Sequence, residues 1–289
     1  MSDDGWHALT IIAFVGSVFS PYYAYRRWRG TADPLDHCAI NVALYGGAGK
    51  RWTMTERPRA GVQQTAKSLA IGPSALWWDA DALTIRVDEI TVPIPGRVRG
   101  TVKVFPEATT RSINKLDAEG AHMWWPIAPA SRIEAVFQDP PLRWSGHGYL
   151  DANFGDRPLD TCFHRWDWSH ASLRHRTLVL YEVERRDGTD LLLAMEFDRA
   201  GNASDFSPPA LRRLPSRRWR IDRRTRADPE QVPAIVKTLE DTPFYARSII
   251  DTALLSQRTK AMHECLSLDR FRKRWVRALL PFRMPRAMH

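Results

Sequence analysis

Gly146-His147-Gly148-Tyr149-Leu150-Asp151-Ala152-Asn153-Phe154-Gly155-Asp156 is the stretch whose residue types and spacing are best suited to chemistry. In an extended backbone alternate side chains share a face, so Tyr149, Asp151 and Asn153 point the same way. The glycines let other groups approach closely. Trp144 precedes the stretch, and Trp166-Asp167-Trp168 follows it. A solvated sheet edge would explain an isolated Asp. It explains poorly an Asp set among glycines and aromatic rings, where a carboxyl group can be kept dry. Asp151 is therefore a candidate acid, and the stretch a candidate lining for a site.

Histidines offer less. His122-Met123-Trp124-Trp125-Pro126-Ile127-Ala128-Pro129 reads as an aromatic loop or strand end, because Pro126 and Pro129 limit regular pairing. A lone His beside Trp is by itself most often a packed or surface residue. His164, His170 and His175 match no common ligand spacing and lack carboxylate or Cys company, so no metal is expected. Cys38, Cys162 and Cys265 are odd in number, far apart and without a CxxC, so neither a disulfide framework nor a zinc site is suggested, which fits a reducing compartment.

The elements that must hold these residues are mostly strands. Ala8 to Val18 is apolar but carries Asp3 and Asp4 where an export signal has basic residues, lacks a small-residue cleavage site, and is too short to span a bilayer. It reads as a buried strand leading into the aromatic turn Phe19-Ser20-Pro21-Tyr22-Tyr23. Ala39 to Leu44 is a strand ended by Gly46-Gly47-Ala48-Gly49, which is no phosphate loop because Lys50 lacks a Ser or Thr beside it. Arg51 to Glu56, Ser74 to Trp78, Ala82 to Val87, Ile90 to Ile94 and Arg97 to Phe105 continue an antiparallel series, as in a barrel or sandwich. Thr177 to Glu184 and Leu191 to Phe197 flank an Asp-Gly turn and form the clearest hairpin. Phe244 to Cys265 is ambiguous between strand and helix.

Charge bounds the partners. The net charge of +9 suggests an anionic partner, nucleic acid or anionic lipid. Much of the excess lies in Arg212, Arg213, Arg217, Arg218, Arg220, Arg223, Arg224 and Arg226, where Trp219 and Ile221 alternate with Arg220 and Asp222 as in a half-buried strand with a solvated outer face. No basic tail or nucleic-acid motif accompanies it, so no nucleic acid is expected. At the end, Ser267 can cap a helix in which Leu268, Phe271, Trp275 and Leu279 share a face among Arg270, Arg272, Lys273, Arg274 and Arg277. That helix either packs on the barrel with its cations in water or lies in a membrane interface among anionic head groups.

Longer motifs carry a resemblance. Phe14-Val15-Gly16-Ser17-Val18-Phe19-Ser20-Pro21-Tyr22-Tyr23, His37-Cys38-Ala39-Ile40-Asn41-Val42-Ala43-Leu44-Tyr45, Arg51-Trp52-Thr53-Met54-Thr55-Glu56-Arg57 and the Gly-Tyr-x-Asp-x-Asn stretch resemble the carotenoid 1,2-hydratase family of purple bacteria, from about Trp6 to Pro285. The resemblance implies an all-β fold of two tandem lipocalin-like β-barrels with a short C-terminal helix. We set the expected domains at 1–135 and 136–289. It also implies a hydro-lyase that needs no cofactor and adds water across the C1–C2 double bond of acyclic carotenes such as neurosporene or lycopene. The family's catalytic residues fall on His122, Trp124, Tyr149 and Asp151, with Phe154 standing where Trp is more usual. Trp144, Asn153, Phe154, Trp166, Trp168, Tyr22 and Tyr23 are the expected substrate contacts. The expected location is the cytoplasmic side of the inner membrane, held peripherally on an anionic surface.

Hydrating such an alkene requires protonating C2 and holding the tertiary cation at C1 until water attacks. An Asp half protonated at pH 7 needs a shift of roughly 3 units, about 4 kcal/mol, which burial in an apolar cavity can supply. Ring faces, Trp124 foremost, would stabilise the cation. Tyr149 would orient the acid or the water, and His122 would accept the proton that water gives up. Two rivals share the fold: a non-catalytic lipocalin that carries a lipophile, and a cyclase or isomerase.

Overall fold

The computed structural model describes residues 1–47 and 49–287; Ala48 of the glycine cluster lies outside them. The chain is mostly β, 55% strand against 11% helix, so the all-β expectation is met. Two compact units form. One comprises Met1–Pro106, Ser131–Gly148 and Arg277–His289, the other Glu107–Ala130 and Tyr149–Val276. Two long strands, His122–Asp139 and Leu142–Gly155, contribute residues to both.

In the first unit Ala8–Phe14, Ala39–Tyr45 and Arg51–Thr53 make a three-stranded antiparallel sheet. Ala39–Tyr45 is buried at every position, as its continuous apolar run requires, and its one amide, Asn41, donates to the Thr53 carbonyl at 2.6 Å. Ser68–Ile71, Ser74–Trp78, Leu83–Ile90 and Arg97–Pro106 pair in sequence. Residues 131–139 then pair with Arg97–Pro106, setting Ile133 beside Val104 and Ala135 beside Val102. Strict alternation in Arg97–Pro106 buries Val98, Val102 and Val104. The aromatic turn after the first strand is instead a helix, Pro21–Trp28. Ser20 caps it by accepting from the Tyr23 N–H, and Pro21 occupies its first turn, a helix-start pair that the aromatic residues around it obscure.

The second unit is built on a seven-stranded sheet. Its spatial order is Ala203–Asp205, Asp190–Asp198, Arg176–Arg185, Phe163–Ser172, Gln257–Ser267, Tyr245–Leu254 and Ala234–Asp241. The Asp-Gly hairpin joins strands in register, Glu184 opposite Asp190. The ambiguous segment from Phe244 resolves into two strands, whose hairpin is closed by Leu255 and Ser256 with left-handed backbone. One face of this sheet packs Ala171, Leu178, Leu180, Ala194, Ile250 and Ala261 beneath Leu214. Leu214 ends Leu211–Leu214, which pairs with Arg223–Arg226.

Two expectations need correction here. The strand placed over Trp219 to Asp222 is a turn, with Arg220 at φ 49°, and extended structure begins only at Arg223. Nor are these arginines merely solvated. Arg223 is buried and bonds Ser248 and Asp241, Arg224 pairs with Glu184, and Arg226 pairs with Glu182 through two bonds. The terminal helix is also divided, into Leu268–Phe271, capped by Ser267, and Arg274–Arg283. The break resets the helical phase. Leu268 and Phe271 are buried in the first piece, but Val276 and Leu280 in the second, leaving Trp275 and Leu279 exposed.

Candidate active site

Three strands of the second unit supply the site, each through its alternation. Residues 149–155 of Leu142–Gly155 put Tyr149, Asp151 and Asn153 on one face. His122 and Trp124 share a face at the start of His122–Asp139, a regular strand in spite of its prolines. Pro126 and Pro129 there serve as acceptors, taking bonds from Thr110 Oγ1 at 2.6 Å and His170 Nε2 at 3.1 Å. Phe163–Ser172 presents Trp166, Trp168 and His170 on the face opposite the Leu214 core. Strand pairing extends that face sideways: Trp168 lies beside Tyr181 on one neighbour and Glu264 on the other, and His170 beside Val179 and Met262.

Asp151 is the centre. Trp124 donates its indole N–H to Asp151 Oδ2 at 3.0 Å, and the Tyr149 hydroxyl donates to the same oxygen at 3.3 Å. With both donors on Oδ2, the protonated acid carries its hydrogen on Oδ1. The residue keeps some accessible surface yet sits deep enough for desolvation to dominate its titration. Burial raises its pKa to about 6, with the Trp124 bond working against that rise and the charge of Glu264 adding to it. About one carboxyl in ten is then protonated at pH 7, less than a full shift to neutrality would give but within the range of a working acid.

Rings surround it. Tyr181, fully buried, lies 5.0 Å from Trp124 and 5.3 Å from Trp166, and gives its hydroxyl to Asn153 Oδ1 at 2.8 Å. Tyr149 lies 5.1 Å from Trp168 and 4.7 Å from His170. Burial drives both phenols well above their ordinary range, so they remain neutral donors. Further along this face Glu264 accepts from Arg247 Nε at 2.7 Å.

A second polar cluster lies on the other face of the same sheet. Asp167, His263 and Cys265 bring ligand-type atoms within 4.8 Å of one another. Arg165 already bonds both oxygens of Asp167, and burial together with Arg165 and Arg223 holds His263 down to about 3. A metal cation placed there would face two guanidinium groups, so the cluster is read as an ion-paired core. A surface hollow of about 520 Å³ lined by Leu35, Arg59, Val62, Gln64, Thr65 and Ala66 belongs to the first unit. It holds none of the ring and carboxyl chemistry.

The family model described as carotenoid hydratase CrtC matches residues 11–289. The chain belongs to that family. It is 55% identical over 287 residues to the acyclic carotenoid 1,2-hydratase of Thiocapsa roseopersicina, covering 99% of this chain and 71% of the relative. The enzyme of that name from Rubrivivax gelatinosus is 50% identical over 293 residues, with the same coverage. That of Cereibacter sphaeroides is 39% identical over 277 residues, 96% of this chain and 98% of the relative. A crystal structure from Nitrosomonas europaea carrying the AttH name matches with a TM-score of 0.53 at 14% identity, over 80% of each chain, which bears on fold alone.

In this carotenoid hydratase the residues singled out by sequence divide into two groups. Asp151, Tyr149, Trp124, Asn153, Trp166 and Trp168 form one connected set, through their hydrogen bonds and ring contacts. Trp144 is buried in the first unit, and Tyr22 and Tyr23 lie on its helix Pro21–Trp28, Tyr23 packing 5.0 Å from His37. Phe154 is about half exposed. His122 is buried beside the set, and Gly155 allows the strand to pass it: a Cβ there would stand 2.3 Å from the Ala121 carbonyl. Its Nδ1 faces Asp117 Oδ2 at 2.9 Å and its Nε2 the Arg157 carbonyl at 3.0 Å, so neither nitrogen is placed to take a proton from water. Tyr181, His170 and the Glu264–Arg247 pair were not singled out for the site from sequence. Tyr181 sits in an apolar run that reads as core, and Glu264 in the ambiguous segment, where no face can be assigned.

Proposed function

We propose that this hydratase adds water across the C1–C2 double bond of an acyclic carotene with Asp151 as proton donor. The observation that carries the reading is a carboxyl group raised to about 6 by burial, braced on one oxygen by Trp124 and Tyr149 and enclosed by rings. The Oδ1–H bond breaks and its proton joins C2, taking up the π electrons and leaving a tertiary cation at C1. Trp166 and Trp168, which keep some accessible surface, present π faces to such a cation, each contact contributing about 0.5–2 kcal/mol, while the fully buried Tyr181 packs against both Trp166 and Trp124. Water attacks C1 and loses a proton, giving a tertiary alcohol. Trp124 and Tyr149 then stabilise the carboxylate left behind, an interaction that strengthens as charge develops. His122 braces the strand that carries Trp124.

We also take the chain to be two lipocalin-like barrels in tandem, a reading that the antiparallel sheets of both units support. Among the described residues no helix is long and apolar enough to cross a membrane. Contact with the bilayer is proposed to be peripheral, through Arg274–Arg283, whose Trp275, Leu279 and Phe282 are exposed at 50%, 44% and 71% and recur along one side of the helix. A carotene dissolves in lipid and not in water, so an enzyme acting on it must collect it there. The three cysteines are free thiols, as suits the cytoplasmic side.

Purified protein incubated with lycopene, followed by mass analysis of the pigment, tests the activity. A product heavier by one water supports the hydratase; unchanged mass with altered absorption would mean an isomerase or cyclase, and bound but unaltered lycopene a carrier.

A further inference from the structure

The hydration leaves one proton without a destination, and His122 cannot receive it with both ring nitrogens facing acceptors. A second histidine has the opposite arrangement. His170 Nε2 lies 3.1 Å from the Pro129 carbonyl, which can only accept, so that nitrogen carries the hydrogen. Its Nδ1 is then the lone-pair nitrogen, and no described residue donates to it. The ring stacks at 8° on Trp168, 6.0 Å between centroids, and lies 4.7 Å from Tyr149. Its strand neighbours on this face are Val179 and Met262, with no carboxylate beside it to favour an imidazolium. His170 thus has a fixed tautomer, a rigid ring and a place on the same aromatic face as the acid.

We infer that His170 Nδ1 accepts the proton released by the attacking water, and that Tyr149 links it back to Asp151. This rests on the hydratase function with Asp151 as donor. A water oxygen forms its bond to C1, giving an oxonium. His170 Nδ1 takes one of the oxonium's hydrogens and the O–H electron pair returns to oxygen, leaving the alcohol. The resulting imidazolium is transient, since burial holds this ring's pKa down to about 4, and it gives its proton up readily. Tyr149 sits between the two groups, with its ring against His170 and its hydroxyl 3.3 Å from Asp151 Oδ2. By passing its own hydrogen to Asp151 Oδ2 and taking one from the His170 side, Tyr149 re-forms the carboxylic acid, and a half-turn of the carboxyl group returns that hydrogen to the Oδ1 position. Alkene and water are consumed, alcohol is formed, and every proton is accounted for. A weak base suffices because a protonated tertiary alcohol is a far stronger acid than imidazolium.

The test uses the full chain, lycopene in vesicles, and wild-type protein in the same assay. If wild type forms no alcohol, the hydratase function itself fails, an outcome distinct from a defect confined to the His170 variants. His170→Phe keeps a flat ring against Trp168 and Tyr149 but offers no lone pair. It is expected to bind lycopene, judged by the shift of the polyene absorption, and to turn over roughly 10²-fold more slowly. His170→Ala should be slow and should regain activity as imidazole is added, a response that a purely structural role would not give. His170→Gln is the second isostere should the Phe variant fail to fold, with the same expected loss. Turnover above about a tenth of wild type in a folded Phe or Gln variant, or an Ala variant indifferent to imidazole, overturns the inference.

Discussion

Trp124 and Asp151 are joined by one hydrogen bond of 3.0 Å, and that bond opposes the burial that makes Asp151 an acid. Desolvation favours the neutral carboxyl, whereas an N–H donor favours the carboxylate. The balance at about 6 leaves an acid strong enough to protonate an alkene and protonated often enough to act near neutrality.

Trp124→Phe separates the two roles of that indole. The ring face remains and the N–H donor is lost, so the Asp151 pKa should move up and the alkaline limb of the pH–rate profile with it. A profile that stays in place, or moves down, would show that the bond does not tune the acid. Turnover is expected to fall as well, because the carboxylate left after proton transfer loses a donor, at a cost of about 1.5–3 kcal/mol for a bond to a charged group.

Asp151→Asn should lower turnover by at least ~10² while retaining carotene uptake. Stability supplies an independent check. The folded pKa, about 6, lies above the ordinary 3.8, so the native state holds the proton more tightly than the unfolded chain. The Asp contribution is fully present below pH 3.8 and is lost as pH rises through 6, by up to about 3 kcal/mol. Asn does not titrate. The variant's melting temperature should therefore gain on wild type between pH 4 and pH 8, and a constant difference across that range would contradict the raised pKa.

How much could be read from the sequence depends on the range of the interactions. Tyr149, Asp151 and Asn153 could be placed together because alternation is local, and Gly155 announced a close approach that the structure fills with Ala121 and His122. The association of Trp124 with Asp151 came only through family resemblance, since nothing local joins two strands. Tyr181 and Glu264 face the site because their strands pair with Trp168 in one register, and register between distant segments has no local signature. His122 shows the same limit: its residue type suited a base, but Asp117 and the Arg157 carbonyl occupy it. In the terminal helix, the break between Phe271 and Arg274 changed which side chains are buried, which an unbroken 3.6-residue period conceals.

Glu264→Gln tests whether the second carboxylate tunes the first. Its negative charge raises the Asp151 pKa, after desolvation and against the Trp124 bond. Neutralising it removes that push, and the positive charge of Arg247, bonded to Glu264 at 2.7 Å in the wild type, is no longer offset by it. Both changes favour the Asp151 carboxylate. The alkaline limb should move to lower pH, opposite in direction to Trp124→Phe, and activity at pH 8 should fall more than activity at pH 6. Equal losses at both would make Glu264 a structural partner of Arg247 alone.

The last expectation concerns the bilayer. Trp275, Leu279 and Phe282 recur at four- and three-residue spacing on Arg274–Arg283, so they form a stripe along one side of the helix, while Val276 and Leu280 anchor the other. Each exposed side chain seated at the head-group boundary contributes on the order of 1 kcal/mol, because none is fully removed from water there. Replacing all three with Ser should therefore weaken vesicle binding ~100-fold, near 3 kcal/mol. The loss should persist at high salt, since it is apolar. By contrast, the residual attraction from the helix's arginines should vanish as salt screens it. Sedimentation with anionic and neutral vesicles at low and high salt separates the two contributions. A folded triple variant that binds anionic vesicles as wild type does at high salt would remove this helix from the membrane contact.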